Sequence, residues 1–270
     1  MRLVRQFQAR PARGFTVVEL VTVIMVLGIL AVGTTRFLTD ATDGFVSTNS
    51  RAELVGDAQA TLIGLTRDVR QALPRTLRVA GGGQCLEFIP IEHGVRYLSA
   101  PFGAAGASVW TVPPSGGYVP GAATRLAIQG STGAYGLTSP GIVSGVVSAT
   151  TLQGDGQYRV DLAAAHTFSA ASAQQRVYFV GAPVSYCVDG GRLWRYRNYG
   201  FLAVQPLPAD LPATLPQRVL VAESVAPAFP VFAYDTATRT RNATVAVQLT
   251  VDRDGTQIRL DQLIAIRNLP

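Results

Sequence analysis

The sequence predicts an α+β fold: a long N-terminal helix, membrane-spanning over its first half, packed on an antiparallel β-rich globular head. Three observations predict it. Residues 15–35 are apolar or small apart from Glu19, and twenty or so helical residues reach ~30 Å, the thickness of a hydrocarbon core. Leu54, Ala58, Leu62, Leu65, Val69 and Leu73 then recur at three- and four-residue steps, the mark of one buried helical face. Beyond Pro74 the pattern shortens to strand-like runs divided by glycine and proline.

Residues 1–14 form a basic leader with Arg2, Arg5, Arg10 and Arg13. Positive charge on this side keeps the N-terminus cytoplasmic and sends the C-terminal bulk outward. Residues 15–36 are the transmembrane segment. Glu19 lies near its start, and a carboxylate costs ~2.5–3.5 kcal/mol at a helix centre, less near an end. Such a residue needs a partner. An ordinary secretory signal has an apolar core of ~7–15 residues followed by small residues. This run is too long for that, although Ala31-Val32-Gly33 imitates a cleavage site. A plain signal anchor would avoid Glu19. The remaining reading places processing before the apolar run, at Gly14–Phe15.

Residues 37–73 continue the helix as an amphipathic stretch, with Arg51, Glu53, Asp57, Arg67, Asp68 and Arg70 largely off the apolar stripe. Residues 40–49 are poor in helix formers and include Gly44, so a kink or local melting is expected there. Pro74 ends the helix.

The head is residues 74–270. Strand candidates are 85–91, 96–98, 124–129, 142–150 and 157–162. The stretch 100–121 reads as an ordered loop with a short strand around Trp110. Residues 177–201 are the clearest sheet segment, and Asp189-Gly190-Gly191 divides them as a hairpin turn. Alternation puts Trp194 and Tyr196 on one face and Arg195 and Arg197 on the other. That pattern fits core plus solvated face, with a partner contact as the alternative. Residues 206–216 are proline-rich and read as an extended crossing segment. Strands follow at 218–225 and 230–234. The last pair is 243–251 and 257–266 around the turn 252–255. Val245, Val247, Leu249 and Val251 share a face that Ile258, Leu260, Ile264 and Ile266 meet, with Gln262 as the break. No repeat period appears.

The net charge is +6, but the leader holds four of the arginines; without it 19 arginines face 17 acids, a net of +2. Nucleic-acid binding is therefore not expected from charge. Cys85 and Cys187 permit one disulfide outside the cytoplasm. It would close a loop of about 100 residues, worth ~4–5 kcal/mol in the chain-entropy model; two buried free thiols are the alternative. No G-x-S-x-G, H-E-x-x-H or P-loop is present, so no enzyme activity is expected. Two cysteines and two dispersed histidines, His93 and His166, predict no metal site, and no cofactor is expected. Glu92 and His93 are adjacent on a strand and should face opposite ways. Asp155-Gly156 and Asp252-Arg253-Asp254-Gly255 read as tight turns, with a loose calcium site as the alternative.

Gly14-Phe15-Thr16-Val17-Val18-Glu19-Leu20 resembles the class III signal of the type IV pilin and pseudopilin superfamily. The resemblance implies that a membrane peptidase cuts between Gly14 and Phe15 and N-methylates Phe15. Glu19 becomes the fifth residue of the mature chain and the subunit-assembly residue. The chemistry is coherent: the new amine and the Glu19 carboxylate, in one chain or between neighbours, each lower the cost of burying the other. Many major pilins carry proline where this chain has Arg36, a departure that weakens the case for a major subunit. The segment Val184-Ser185-Tyr186-Cys187-Val188-Asp189-Gly190-Gly191-Arg192-Leu193-Trp194-Arg195-Tyr196 resembles a hairpin of the larger minor pilins (W-type among them) and of J-type pseudopilins. The strand Cys85-Leu86-Glu87-Phe88 and the ending Ile266-Arg267-Asn268-Leu269-Pro270 are similar to those of O-type minor subunits of mannose-sensitive haemagglutinin pili.

The resemblance implies a minor pilin that helps to initiate a type IV pilus at its tip. Its partners would be other minor and major pilins, the prepilin peptidase and the inner-membrane assembly platform. It would reside in the bacterial inner membrane as a single-pass protein with a periplasmic head, and then on the cell surface. The alternatives are a pseudopilin at the tip of a type II secretion pseudopilus, and a tip adhesin or DNA-binding module.

Overall fold

The computed structural model describes residues 14, 16–130, 132–136, 143–226, 228–237, 242–253 and 255–266. The expected leader up to Arg13, Phe15 and the Arg267–Pro270 ending lie outside these residues.

Helix α1 spans Val17–Arg70. It runs unbroken through residues 40–49, so the expected local melting does not occur there. The hydroxyls of Thr39, Thr42 and Thr48 donate to carbonyls four residues back at 2.7–2.9 Å, and Ser47 donates to Gly44 O at 3.1 Å. These side chains satisfy themselves on the helix rather than competing with it. The helix ends three residues before Leu73. Gln71 and Ala72 donate to carbonyls three residues back, and Leu73 N–H donates to Ile89 O at 2.7 Å. An isolated bridge between Ala72 and Pro90 has already captured the chain before Pro74.

The chain divides into two compact units at Glu53/Leu54. In the first, the described residues of α1 are exposed throughout. The second holds the helical residues Leu54–Arg70 and all the strands described.

In chain order the strands are β1 (Arg78–Ala80), β2 (Cys85–Phe88), β3 (Ile91–Ser99), β4 (Gly106–Thr111), β5 (Arg125–Ala127), β6 (Val143–Leu152) and β7 (Tyr158–His166). There follow β8 (Arg176–Val180), β9 (Val184–Asp189), β10 (Arg192–Tyr196), β11 (Arg218–Ala222), β12 (Phe232–Asp235), β13 (Thr244–Arg253) and β14 (Thr256–Ala265). They form a five-stranded sheet β1-β2-β9-β10-β11, a three-stranded sheet β12-β13-β14, and a closed barrel β3-β4-β7-β6-β5-β8. Every pairing between these strands is antiparallel. The fold is α+β, as predicted.

Leu54, Ala58, Leu62, Leu65 and Val69 pack in one core with Leu86, Phe88 and Tyr186 of the first sheet and Val245, Val247 and Leu249 of the second. Val109, Val160, Val177 and Phe179 fill the barrel. Leu73, Ile89, Ala127, Tyr135 and Tyr178 form a third cluster that joins barrel strands to the chain around β2. The 189–191 turn is a hairpin turn, with Gly190 at φ 57° and Gly191 at φ 70°. Both values belong to the left-handed region that a two-residue hairpin requires. The expected extended crossing segment contains a 3-10 turn at Pro208–Asp210 and buries Leu211.

The barrel is inserted between two neighbouring strands, an arrangement the linear pattern did not reveal. The chain leaves β2 at Phe88 and re-enters β9 at Val184, and those two residues are paired.

Candidate functional site

Thr16 starts the helix. Its hydroxyl accepts the Glu19 N–H at 3.2 Å and its carbonyl accepts the Leu20 N–H at 3.1 Å. Thr16-x-x-Glu19 is the spacing of a capping box, a signal present in the sequence itself. Glu19 therefore sits in the first turn, where the helix dipole presents the equivalent of roughly half a positive charge. Gly14, one end of the expected cleavage site, is exposed. Phe15, the other end and the expected methylation site, lies outside the described residues.

Val17, Val18, Leu20, Val21, Ile24, Met25, Leu27, Ile29 and Leu30 cover all sides of the helix and are exposed. A helix apolar on every side belongs in a membrane or a packed core. Among the described residues, α1 is the one helix long and apolar enough to cross a membrane.

In the head, Cys85 and Cys187 face each other in the β2–β9 register and are joined by a disulfide. Trp194, Tyr196 and Tyr199 gather around this bridge with Leu211. The guanidinium of Arg218 lies 3.7 Å from the Trp194 ring centre and pairs with Asp189 at 3.2 Å. Arg195 does not lie on a solvated face as expected. Its Nε donates to Asp68 Oδ2 of α1 at 3.0 Å, and the Tyr186 hydroxyl donates to the same oxygen at 2.7 Å. Burial, with the Asp68 carboxylate adding to it, pushes the Tyr186 hydroxyl pKa well up. Of the two arginines expected to meet water, Arg197 is exposed, while Arg195 is half-buried and clamps the hairpin to the helix.

Glu92 and His93 also depart from expectation. An irregularity in the β3–β8 register falls between Ile91 and His93. Both side chains then meet Tyr118: its hydroxyl donates to Glu92 Oε2 at 2.7 Å, and its ring stacks on His93 with centroids 4.9 Å apart. Thr124 donates to the same Glu92 oxygen at 2.7 Å. Burial lowers the pKa of His166, the second histidine. Among the described residues, no three of the His, Cys, Asp and Glu side chains group so as to hold a metal ion.

No family model matches the chain, nor does any curated protein or any solved structure. This is a protein with one apolar N-terminal helix and a β-rich, disulfide-bonded head, an architecture compatible with that of pilins.

Proposed function

We propose that the chain is a minor pilin, a structural subunit that enters a type IV pilus and helps to start its assembly at the tip. The observation that carries this reading is the placement of Glu19. It lies in the first turn of a helix otherwise apolar through its first five turns, three residues after the cap Thr16 and five after Gly14. Cleavage between Gly14 and Phe15 would put a charged, N-methylated amine beside the helix N-terminus. Amine and helix dipole both favour an anion there, and Glu19 supplies it, from the same chain or from the next subunit. The basic leader, the membrane-length helix and the disulfide-bonded head suit a subunit that waits in the inner membrane with its head outside the cytoplasm. Its partners would be the prepilin peptidase, the assembly platform and other pilins; it needs no cofactor.

The test is intact mass and N-terminal sequence of the protein taken from membranes with and without the peptidase. An N-methyl-Phe15 terminus that disappears without the peptidase is the expected result. A Met1 terminus in both preparations, or one beyond Gly33, removes the basis of the proposal. Co-purification with pilus subunits rather than with secretion-system components then separates a pilin from a pseudopilin.

A further inference from the structure

A second charged feature lies on the outer face of the barrel. In the β3–β8 register Gly94 is directly opposite Tyr178, and Arg96 is directly opposite Arg176. Like charges at directly opposed antiparallel positions repel and cost stability. A carboxylate beside them would offset that cost, and among the described residues none lines the depression around the pair. Its walls are Gly94, Val95, Arg96, Gln174, Arg176 and Tyr178, and its volume is about 500 Å³. The nearest acid along β3, Glu92, already accepts from Tyr118 and Thr124. Arg176 is exposed, and no described residue makes a hydrogen bond or ion pair with its side chain.

Arg96 is held in place by a neutral group. Gln175 Oε1 accepts from both Nε and Nη2 of Arg96, at 2.9 and 2.5 Å. Gln175 itself is fixed at φ 53°, with its N–H on Ser172 O at 2.9 Å and its carbonyl on the Tyr97 N–H at 2.8 Å. The buried Tyr97 hydroxyl accepts the Ser172 N–H at 3.2 Å and braces the same turn from below. An acid at position 175 would position Arg96 equally well but would neutralise it. The amide leaves the charge in full and Nη1 free.

We propose that Arg96 and Arg176 form a binding site for a single oxyanion, a carboxylate, sulfate or phosphate group. The guanidinium fork matches two oxygens of such a group, and an anion between the two arginines turns their repulsion into attraction. Tyr178 is buried, so the depression offers no exposed ring on which a base could stack. The site stands apart from the filament reading and holds or fails independently of it.

The experiment uses the full chain in neutral-detergent micelles. Thermal unfolding is followed in sodium sulfate and in sodium chloride of matched ionic strength, for wild type, Arg176→Gln and Arg96→Gln. Sulfate raises the wild-type midpoint above that in chloride, and each variant loses this increment. Arg176→Gln alone is also more stable than wild type in chloride, because the repulsion is gone. Titration shows sulfate affinity falling about ten-fold or more in either variant. Dextran sulfate at equal sulfate concentration distinguishes the source: tighter binding identifies a group carried on an acidic polymer, equal binding a free anion. The same sulfate increment in wild type and both variants overturns the site, as does its absence from wild type.

Discussion

Glu87 is fully buried on β2, with its carboxylate between two donors. Arg78 Nε pairs with Oε2, and the Tyr199 hydroxyl donates to Oε1 at 2.7 Å. The other Arg78 nitrogens donate to the carbonyls of Leu202 and Ala203 at 2.7 Å, and its guanidinium lies 3.6 Å from the Tyr135 ring centre. Burial nonetheless outweighs the hydrogen bonds and charge of Arg78 and Tyr199, and the Glu87 pKa is raised. A folded-state value above the unfolded one means that the native chain holds this proton more tightly. The associated stability is complete below the unfolded value and is lost as pH rises through the raised folded value. Wild type is therefore expected to lose stability relative to Glu87→Gln as the pH goes from about 4 to about 7. Urea unfolding of both chains across that range measures it; a difference that is flat, or that grows in favour of wild type, refutes it. None of this was legible in Cys85-Leu86-Glu87-Phe88, where alternation reads an acid as a solvent position. Tyr199 lies 112 residues away in the chain.

At the scale of elements, local chemistry made much of the fold readable. The β13–β14 pair matches the expectation: Val245, Leu249 and Val251 oppose Ile264, Leu260 and Ile258, and Val247 opposes Gln262. The glycine turn at 190–191 and the apolar stripe from Leu54 to Val69 were equally plain. What stayed hidden needed distant partners. Arg195 faces Asp68, 127 residues earlier, so alternation could give its face but not what covers it. Another such junction is the β1–β2 turn. Gly83 O accepts the N–H groups of Val231 at 3.2 Å and Phe232 at 3.0 Å, tying that turn to the start of β12. Gly83 has φ 95°, and a Cβ there would lie 2.4 Å from Pro230 Cβ and 2.7 Å from Pro230 Cα. Gly83→Ala must shift backbone as well as adopt a strained conformation. It is expected to destabilise the head by more than about 2 kcal/mol. Denaturant unfolding checks this, and a change within about 0.5 kcal/mol would show that the junction is not fixed at this residue.

At the scale of the molecule, the disulfide's position matters more than its presence. Six strands, β3 to β8, close into a barrel in the order β3-β4-β7-β6-β5-β8, and the whole insertion enters and leaves through the β2–β9 pair. Sequence periodicity gives strands but not their partners. This closure also needs register irregularities in five of its six pairings, which no simple alternation encodes. Cys85 and Cys187 bridge the neck of the insertion across a separation of 102 residues. In the folded chain they add little geometry, because β2 and β9 are hydrogen-bonded there anyway. In the unfolded chain they abolish the freedom of a very long loop. The bridge should therefore act on the unfolded state: replacing both cysteines with serine keeps the secondary structure and lowers stability by about 4–5 kcal/mol. Circular dichroism with urea unfolding of the oxidised wild type and the double variant separates these two effects. Loss of sheet signal at zero denaturant would instead mean that the bridge holds the neck together in the native state. A loss below about 1 kcal/mol would mean that the unfolded chain already keeps the two strands together.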